Sequence, residues 1–131
     1  MTKAPLQHIL YIDDEEDIRT VAQMALEMVG GMNVAVCCCG RDGLDAARAN
    51  PPQMILLDVM MPDMDGPETF AALRADPELA DIPVAFMTAK IRPEEISDLM
   101  RLGVAGVIAK PFDPMTLADQ VRNVWNTFQD K

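Results

Sequence analysis

Short apolar runs that each stop on a polar or charged side chain constrain this chain most. Met54-Ile55-Leu56-Leu57 ends on Asp58, and Ile9-Leu10-Tyr11-Ile12 ends on Asp13-Asp14. Val84-Ala85-Phe86-Met87 stops on Thr88, and Val107-Ile108-Ala109 stops on Lys110-Pro111. A further run, Val34-Ala35-Val36-Cys37, lies between the first and third. Runs of this length with no polar alternation read as strands buried on both faces, the mark of a parallel sheet. In an open parallel sheet every strand ends on the same edge, where ligands bind. Three acids, a hydroxyl and an ammonium would then meet in one small volume. That set suits a divalent cation together with a phosphoryl group.

Helical patterns fill the gaps between these runs. After Asp14, residues Ile18, Val21, Ala22, Ala25 and Val29 recur at helical spacing until Gly30-Gly31. A second helix runs from about Arg41 to Ala49 and stops at Pro51-Pro52. Pro67 fits the first turn of a third, with Phe70 and Leu73 facing inward and Asp76-Pro77 breaking it. Pro93-Glu94-Glu95 opens a fourth with acids at the positive end of its dipole, and Gly103 closes it. Asp113-Pro114 reads as an N-cap followed by proline, leading into a stripe of Leu117, Val121, Val124 and Phe128. Strands alternating with helices predict an α/β fold, a doubly wound (βα)5 unit with a five-stranded parallel sheet covered on both faces. The last helix uses up the chain, so residues 1–131 are expected to form one domain with no output domain.

Composition narrows the function. The chain has 131 residues, half of them hydrophobic, which suits one domain with a single core and argues against disorder. Eleven basic and 21 acidic residues give a formal charge of −10, which disfavours direct nucleic-acid binding because no basic surface displaces counterions. No apolar run approaches the roughly 20 residues of a membrane span. Met1-Thr2-Lys3-Ala4-Pro5 does not read as a signal peptide. The three cysteines are consecutive, Cys37-Cys38-Cys39. On a strand, neighbours point to opposite faces, so a compact metal site is not expected of them, and small strand residues in a reducing cytoplasm are. His8, the single histidine, reads as structural.

The acids carry the chemistry. If the strands bearing Asp13-Asp14 and Asp58 are neighbours, three carboxylates converge and need compensation. Magnesium, a hard ion that prefers oxygen ligands, fits. Taken singly, each acid also reads as a helix or turn cap. Pro111 holds Lys110 extended, giving its ammonium a fixed reach across the edge to Asp58 or a phosphoryl oxygen. Thr88 offers a hydroxyl to the same oxygen, and the small Ala89 leaves its backbone N–H accessible. Phosphoryl transfer asks mainly for positioning and charge neutralisation, which a carboxylate nucleophile, a metal and a lysine supply.

From about Gln7 to Phe128 the chain resembles a response-regulator receiver domain of two-component signalling. The signature is Asp13-Asp14, Asp58 with Met61-Pro62 and Asp65-Gly66, Thr88-Ala89, and Lys110-Pro111-Phe112. The resemblance implies a flavodoxin-like sheet in the order 2-1-3-4-5. It implies a phosphoprotein in which Asp58 accepts a phosphoryl group from a histidine kinase or histidine phosphotransfer protein. Magnesium, or manganese in its place, would be ligated by Asp14, Asp58 and the Met60 carbonyl, with Asp13 acting through a water. Thr88, Lys110 and the Ala89 backbone would hold the phosphate. The chain would catalyse its own modification without turning over an external substrate, as a cytoplasmic monomer or weak homodimer with no membrane contact and an unnamed downstream protein target.

One departure stands out. Family members usually carry a switch aromatic three residues before the lysine, and here that position is Val107. Thr88 keeps its part of the switch, while output through helix four, strand five and helix five is expected to be weaker or to need helix four to move as a whole. Met60 and Lys90 occupy positions that in this family flank the path of the hydrolytic water. The first helix, where kinases and phosphotransfer proteins dock in the family, begins acidic with Glu15, Glu16 and Asp17 and carries Met24 and Met28, expected mainly as core filler. Trp125 on the last helix reads as half-exposed, an anchor for a partner or a packing residue against strand five. Rival readings are a magnesium phosphohydrolase with an aspartyl nucleophile, a flavodoxin-like mononucleotide binder, and a receiver excised from a larger hybrid kinase or regulator. Met60 stands where the first would place a second acid, and Asp13-Asp14-Glu15-Glu16 would repel the phosphate of the second.

Overall fold

The computed structural model describes residues 4–130; residues 1–3, where the segment read as no signal peptide begins, lie outside the described residues. Five strands, β1 (His8–Ile12), β2 (Asn33–Cys37), β3 (Met54–Asp58), β4 (Val84–Thr88) and β5 (Gly106–Ala109), form one sheet. All pairings are parallel, in the order β2-β1-β3-β4-β5. The helices are α1 (Glu16–Met24), α2 (Gly40–Ala49), α3 (Gly66–Ala75), α4 (Pro93–Met100) and α5 (Leu117–Gln129). The fold is the flavodoxin-like one expected, each strand matching its apolar run to within one residue.

Strand periodicity sorts the core into two layers. Ile9, Tyr11, Leu56, Met87 and Ile108 pack with Ala22, Leu26, Leu117, Val121 and Trp125 of the α1 and α5 side. Leu10, Ile12, Ile55, Leu57 and Phe86 pack with Leu44, Phe70 and Leu73 of the α2 and α3 side. Each fully buried large apolar side chain contributes on the order of 2 kcal/mol. Phe70 and Leu73 face inward as expected, and the edge of Phe70 meets the Phe86 ring at 5.9 Å.

Three expectations about helices need correction. Val21 and Val29 were placed on the inward stripe but are exposed, at 42 % and 46 %. Val21 lies in the regular turn of α1 ahead of any irregularity, whereas Val29 falls in a π-helical segment, Ala25–Val29, that continues α1. Its wider turn, closed by Gly30 N–H to the Ala25 carbonyl at 3.2 Å, breaks the 3.6-residue phase, so Ala25 is buried as expected, Leu26 is buried beside it, and Val29 faces out. Met24 and Met28 are not core filler, being 53 % and 79 % exposed. At the other end, α5 starts at Leu117. Asp113 closes a preceding turn, its carboxylate accepting from Met115 N–H at 2.9 Å and its carbonyl from Thr116 and Leu117.

Trp125 is 8 % exposed and belongs to the core. Its indole N–H donates to the Ala4 carbonyl at 2.8 Å, and Phe128, more exposed than its stripe position implied, stacks on it at 6.1 Å. Burial on this scale leaves packing, rather than a surface anchor, as its role.

Candidate functional site

Period two decides which side of the sheet edge each group faces. Tyr11, Leu56 and Ile108 point into the α1–α5 layer, so Asp13, Asp58 and Lys110, two residues further on, point the same way. Parallel register then brings them level. Ile12 pairs with Leu57, and Asp13 N–H continues the ladder to the Cys37 carbonyl at 3.1 Å.

The result is one cluster of charges. Lys110 Nζ lies 3.0 Å from Asp13 Oδ2, 3.2 Å from Asp58 Oδ1 and 3.6 Å from Glu15 Oε1. Carboxylate oxygens of Asp13, Asp14, Glu15 and Asp58 lie within 4.8 Å of one another. Asp13 and Asp58 are buried, while Asp14 and Glu15 are exposed. The protein already satisfies Asp13: Oδ1 accepts Glu15 N–H at 2.9 Å, and Oδ2 accepts the Tyr11 hydroxyl at 3.2 Å as well as Lys110. Asp58 differs, because its Oδ2 is buried and has no hydrogen-bond partner. An unpartnered carboxylate oxygen inside a protein is costly, and here it sits within the acidic set.

Electrostatics follow from this crowding. Burial pushes the Asp58 carboxyl up to about 6; the neighbouring Asp13 charge adds to the rise, and Lys110 holds it down. Burial alone would lower the Lys110 ammonium, but hydrogen bonding and charge from Asp13 and Asp58 outweigh it and leave its pKa above the ordinary lysine range. Burial, helped by Asp13, drives the Tyr11 phenol far above its usual value, so it stays a donor.

A cleft of about 300 Å³ opens over this cluster, bordered by Asp58, Met60, Ala89 and Lys110. Thr88, at the end of β4, is buried, and its hydroxyl oxygen accepts the Lys90 N–H at 3.0 Å. Met60 is 63 % exposed at the mouth. The Lys110–Pro111 peptide is cis. Gly66 holds the β3–α3 loop in place: a Cβ there would meet the Asp58 carbonyl at 2.6 Å. Val107 lies away from this cleft, partly buried against the α2–α3 layer.

Sequence reasoning singled out Asp13, Asp14, Asp58 and Lys110, and these the structure brings together; Thr88, Ala89 and Met60 come to the same edge. It missed Tyr11, Glu15 and Arg19 as parts of the site. Tyr11 is legible in retrospect as a hydroxyl two residues before Asp13 on the same face. Arg19, whose guanidinium donates to the Asp13 carbonyl at 2.8 Å, sits one helical turn past the strand end. The cysteines also need correction. β2 ends at Cys37, so Cys38 and Cys39 lie in a turn rather than alternating on a strand, and both sulfurs gather with the Asp42 carboxylate within 4.8 Å.

Comparison with known proteins agrees with this geometry. The sequence pattern of the response regulator receiver domain matches residues 9–122. The transcriptional regulatory protein CseB of Streptomyces avermitilis is 33 % identical over 121 residues, covering 92 % of this chain and 50 % of that protein. YvrH of Bacillus subtilis, also named a transcriptional regulatory protein, is 32 % identical over 124 residues, covering 94 % and 51 %. The chain thus spans about half the length of the curated relatives it matches. Among solved structures, the chemotaxis response regulator CheY4 of Vibrio cholerae superposes with a TM-score of 0.84 at 29 % identity, covering 92 % of this chain and 99 % of that one. The N-terminal domain of a response regulator receiver protein from Methanoculleus marisnigri gives 0.72 at 37 % identity, covering 88 % and 94 %. With fold, strand-end cluster and sequence pattern in agreement, the chain belongs to the response regulator receiver domain family of two-component systems.

Proposed function

We propose that this chain is a phosphorelay receiver in which Asp58 takes a phosphoryl group from the phosphohistidine of a histidine kinase or histidine phosphotransfer protein. The observation that carries the reading is the Asp58 carboxylate, buried among acids, held on one oxygen by Lys110 and unpartnered on the other.

Magnesium fits this site on two counts: the donors are all hard oxygens, and Asp58 Oδ2 lacks a partner. Receiver domains generally bind Mg2+ at such an acidic pocket. Asp14, Asp58 and the Met60 carbonyl would ligate it, with Asp13 at one remove, and manganese would substitute. When bound, the ion neutralises charge on the transferred group.

The chain's own residues do the rest. An Asp58 oxygen forms the new O–P bond as the phosphorus–nitrogen bond to the donor imidazole breaks, and the imidazole keeps the released electron pair. Lys110, already 3.2 Å from Asp58, shifts its attraction to a phosphoryl oxygen. The Thr88 hydroxyl and the Ala89 N–H line the same edge and complete the hold. Asp13, saturated by Tyr11, Glu15 N–H and Lys110, fixes the lysine rather than reacting.

Output would pass through the α4–β5–α5 face. Val107 is already partly buried and cannot swing as an aromatic would, whereas α4 has no fully buried residue. We therefore assign the response to α4 moving as a unit, with Thr88 as trigger. Residues 1–131 are read as a single receiver domain, monomeric or weakly dimeric, that modifies itself and turns over no external substrate. No described helix is long and apolar enough to cross a membrane. A cytoplasmic setting, with a kinase or phosphotransfer partner and a protein target, suits the three free thiols. The charge of −10 gives no support to direct nucleic-acid binding.

Incubation with acetyl phosphate and Mg2+ tests the reading by intact mass. The parent should gain one phosphoryl group and Asp58→Asn none. Sustained release of phosphate from small phosphoesters would favour the phosphohydrolase alternative.

A further inference from the structure

A second constellation of metal-ligating atoms lies at the β2–α2 turn, outside the acidic pocket. Cys38 and Cys39 follow the end of β2, and Cys39 is the N-cap of α2. The Cys38 thiol donates to Asp42 Oδ2 at 3.5 Å, and Cys39 Sγ accepts the Asp42 N–H at 3.5 Å. The two sulfurs and the carboxylate oxygen lie within 4.8 Å of one another. Cys39 also lines a cavity of about 360 Å³ together with Arg41, Pro62, Asp63 and Met64. The Met64 thioether packs against Gly40, so a third sulfur borders the same region.

We propose that Cys38, Cys39 and Asp42 form a site for a thiophilic divalent cation of the zinc class, chemically distinct from the oxygen-only acidic pocket. The spacing fits. With Zn–S near 2.3 Å and Zn–O near 2.1 Å, a tetrahedral ion sets its sulfur and oxygen ligands about 3.6 Å apart. Cys38 Sγ and Asp42 Oδ2 already stand 3.5 Å apart, held by the proton that the ion would replace. Charge balances too. The resting set carries one negative charge, on Asp42. Binding releases two thiol protons, and two thiolates plus the carboxylate with a dication again sum to minus one. Cys38 and Asp42 are exposed and Cys39 is half-buried, so the ion has a way in and a position left for water. Soft sulfur donors select against magnesium, which the acidic pocket suits. Cys37 stays out of the set, because as the last residue of β2 it packs toward the α2–α3 layer.

The test uses the full reduced chain with Co2+ as a spectroscopic probe and Zn2+ as competitor. One Co2+ should bind with a thiolate-to-metal charge-transfer band in the near ultraviolet, displaced by one equivalent of Zn2+ and unmoved by millimolar Mg2+. Cys38→Ser and Asp42→Asn, both at exposed positions, should weaken binding at least tenfold. Cys37→Ser and Asp58→Asn should leave the band intact, which separates this site from the acidic pocket. Thermal melting should rise with Zn2+ in the parent and not in Cys38→Ser. A parent without the band, undiminished binding in Cys38→Ser or Asp42→Asn, or loss of the band in Cys37→Ser or Asp58→Asn would overturn the assignment.

Discussion

Lys110 Nζ stands 3.2 Å from Asp58 Oδ1, with only a tenth of the lysine side chain exposed. This contact joins the last strand end to the third and holds the buried Asp58 charge in check. Lys110→Ala should therefore raise the Asp58 pKa above its value of about 6, because the charge and hydrogen bond that lower it are gone. Carboxyl carbon shifts followed through a pH titration in metal-free buffer measure this. An unchanged or lower midpoint would contradict the contact's assigned role.

The raised Asp58 pKa has a signed consequence for stability. The folded chain holds a proton that the unfolded chain releases at lower pH. Stability from this group is thus complete below about pH 4 and lost as pH rises through about 6. Asp58→Asn removes the titration. Without Mg2+ the variant should be more stable than the parent by on the order of 2 kcal/mol at pH 7.5, and the advantage should vanish toward pH 4. Urea melts at the two pH values give the comparison; a gain independent of pH would count against it.

Tyr11→Phe keeps the buried ring and deletes only the hydroxyl that donates to Asp13 Oδ2 at 3.2 Å. A loss of about 1–2 kcal/mol is expected from the missing bond. Weaker Mg2+ binding should accompany it, since Asp13 would be freer to turn. Denaturant melts with and without Mg2+ separate the two effects, and a silent substitution would reduce Tyr11 to core filler.

Gly66→Ala should be severe. The added carbon would meet the Asp58 carbonyl at 2.6 Å and Val59 Cα at 2.8 Å, both backbone atoms that cannot step aside. We expect a cost of about 2 kcal/mol or more by urea melting, and a displaced Asp58 seen as slower modification by acetyl phosphate.

Met60, 63 % exposed beside the cleft, places an apolar side chain on the approach to Asp58. Met60→Asn should shorten the lifetime of the phosphorylated chain by offering a polar group to the attacking water. The decay of the phosphoryl adduct over time reads this out, and a longer-lived variant would refute it.

The fold and the acids were legible for one reason. A strand buried on both faces has to be apolar along its length, so the residue at which it turns polar marks the sheet edge, and Asp13, Asp58, Thr88 and Lys110 stand at or beside such points. Tyr11 was hidden by the same rule, because an aromatic inside an apolar run reads as core until its hydroxyl is seen to reach Asp13. The π-helical segment at Ala25–Val29 left no mark on the pattern, since Val29 keeps helical spacing with Ala22 and Ala25 while facing solvent. Cys38 and Cys39 were misread because strand alternation was applied past the end of the apolar run: β2 stops at Cys37, where that run ends, and the bend after it gathers the two sulfurs. Val107 was recognised as a departure, but its consequence depends on how loosely α4 is packed, which only tertiary structure displays.

The central claim is that Asp58, alone among the clustered acids, receives the phosphoryl group. Borohydride reduction after treatment with acetyl phosphate and Mg2+ converts an aspartyl phosphate to homoserine, which peptide mass spectrometry locates. Homoserine at position 58, absent without Mg2+, is the predicted result. Homoserine at position 13 or 14, or none anywhere in the chain, would contradict the account.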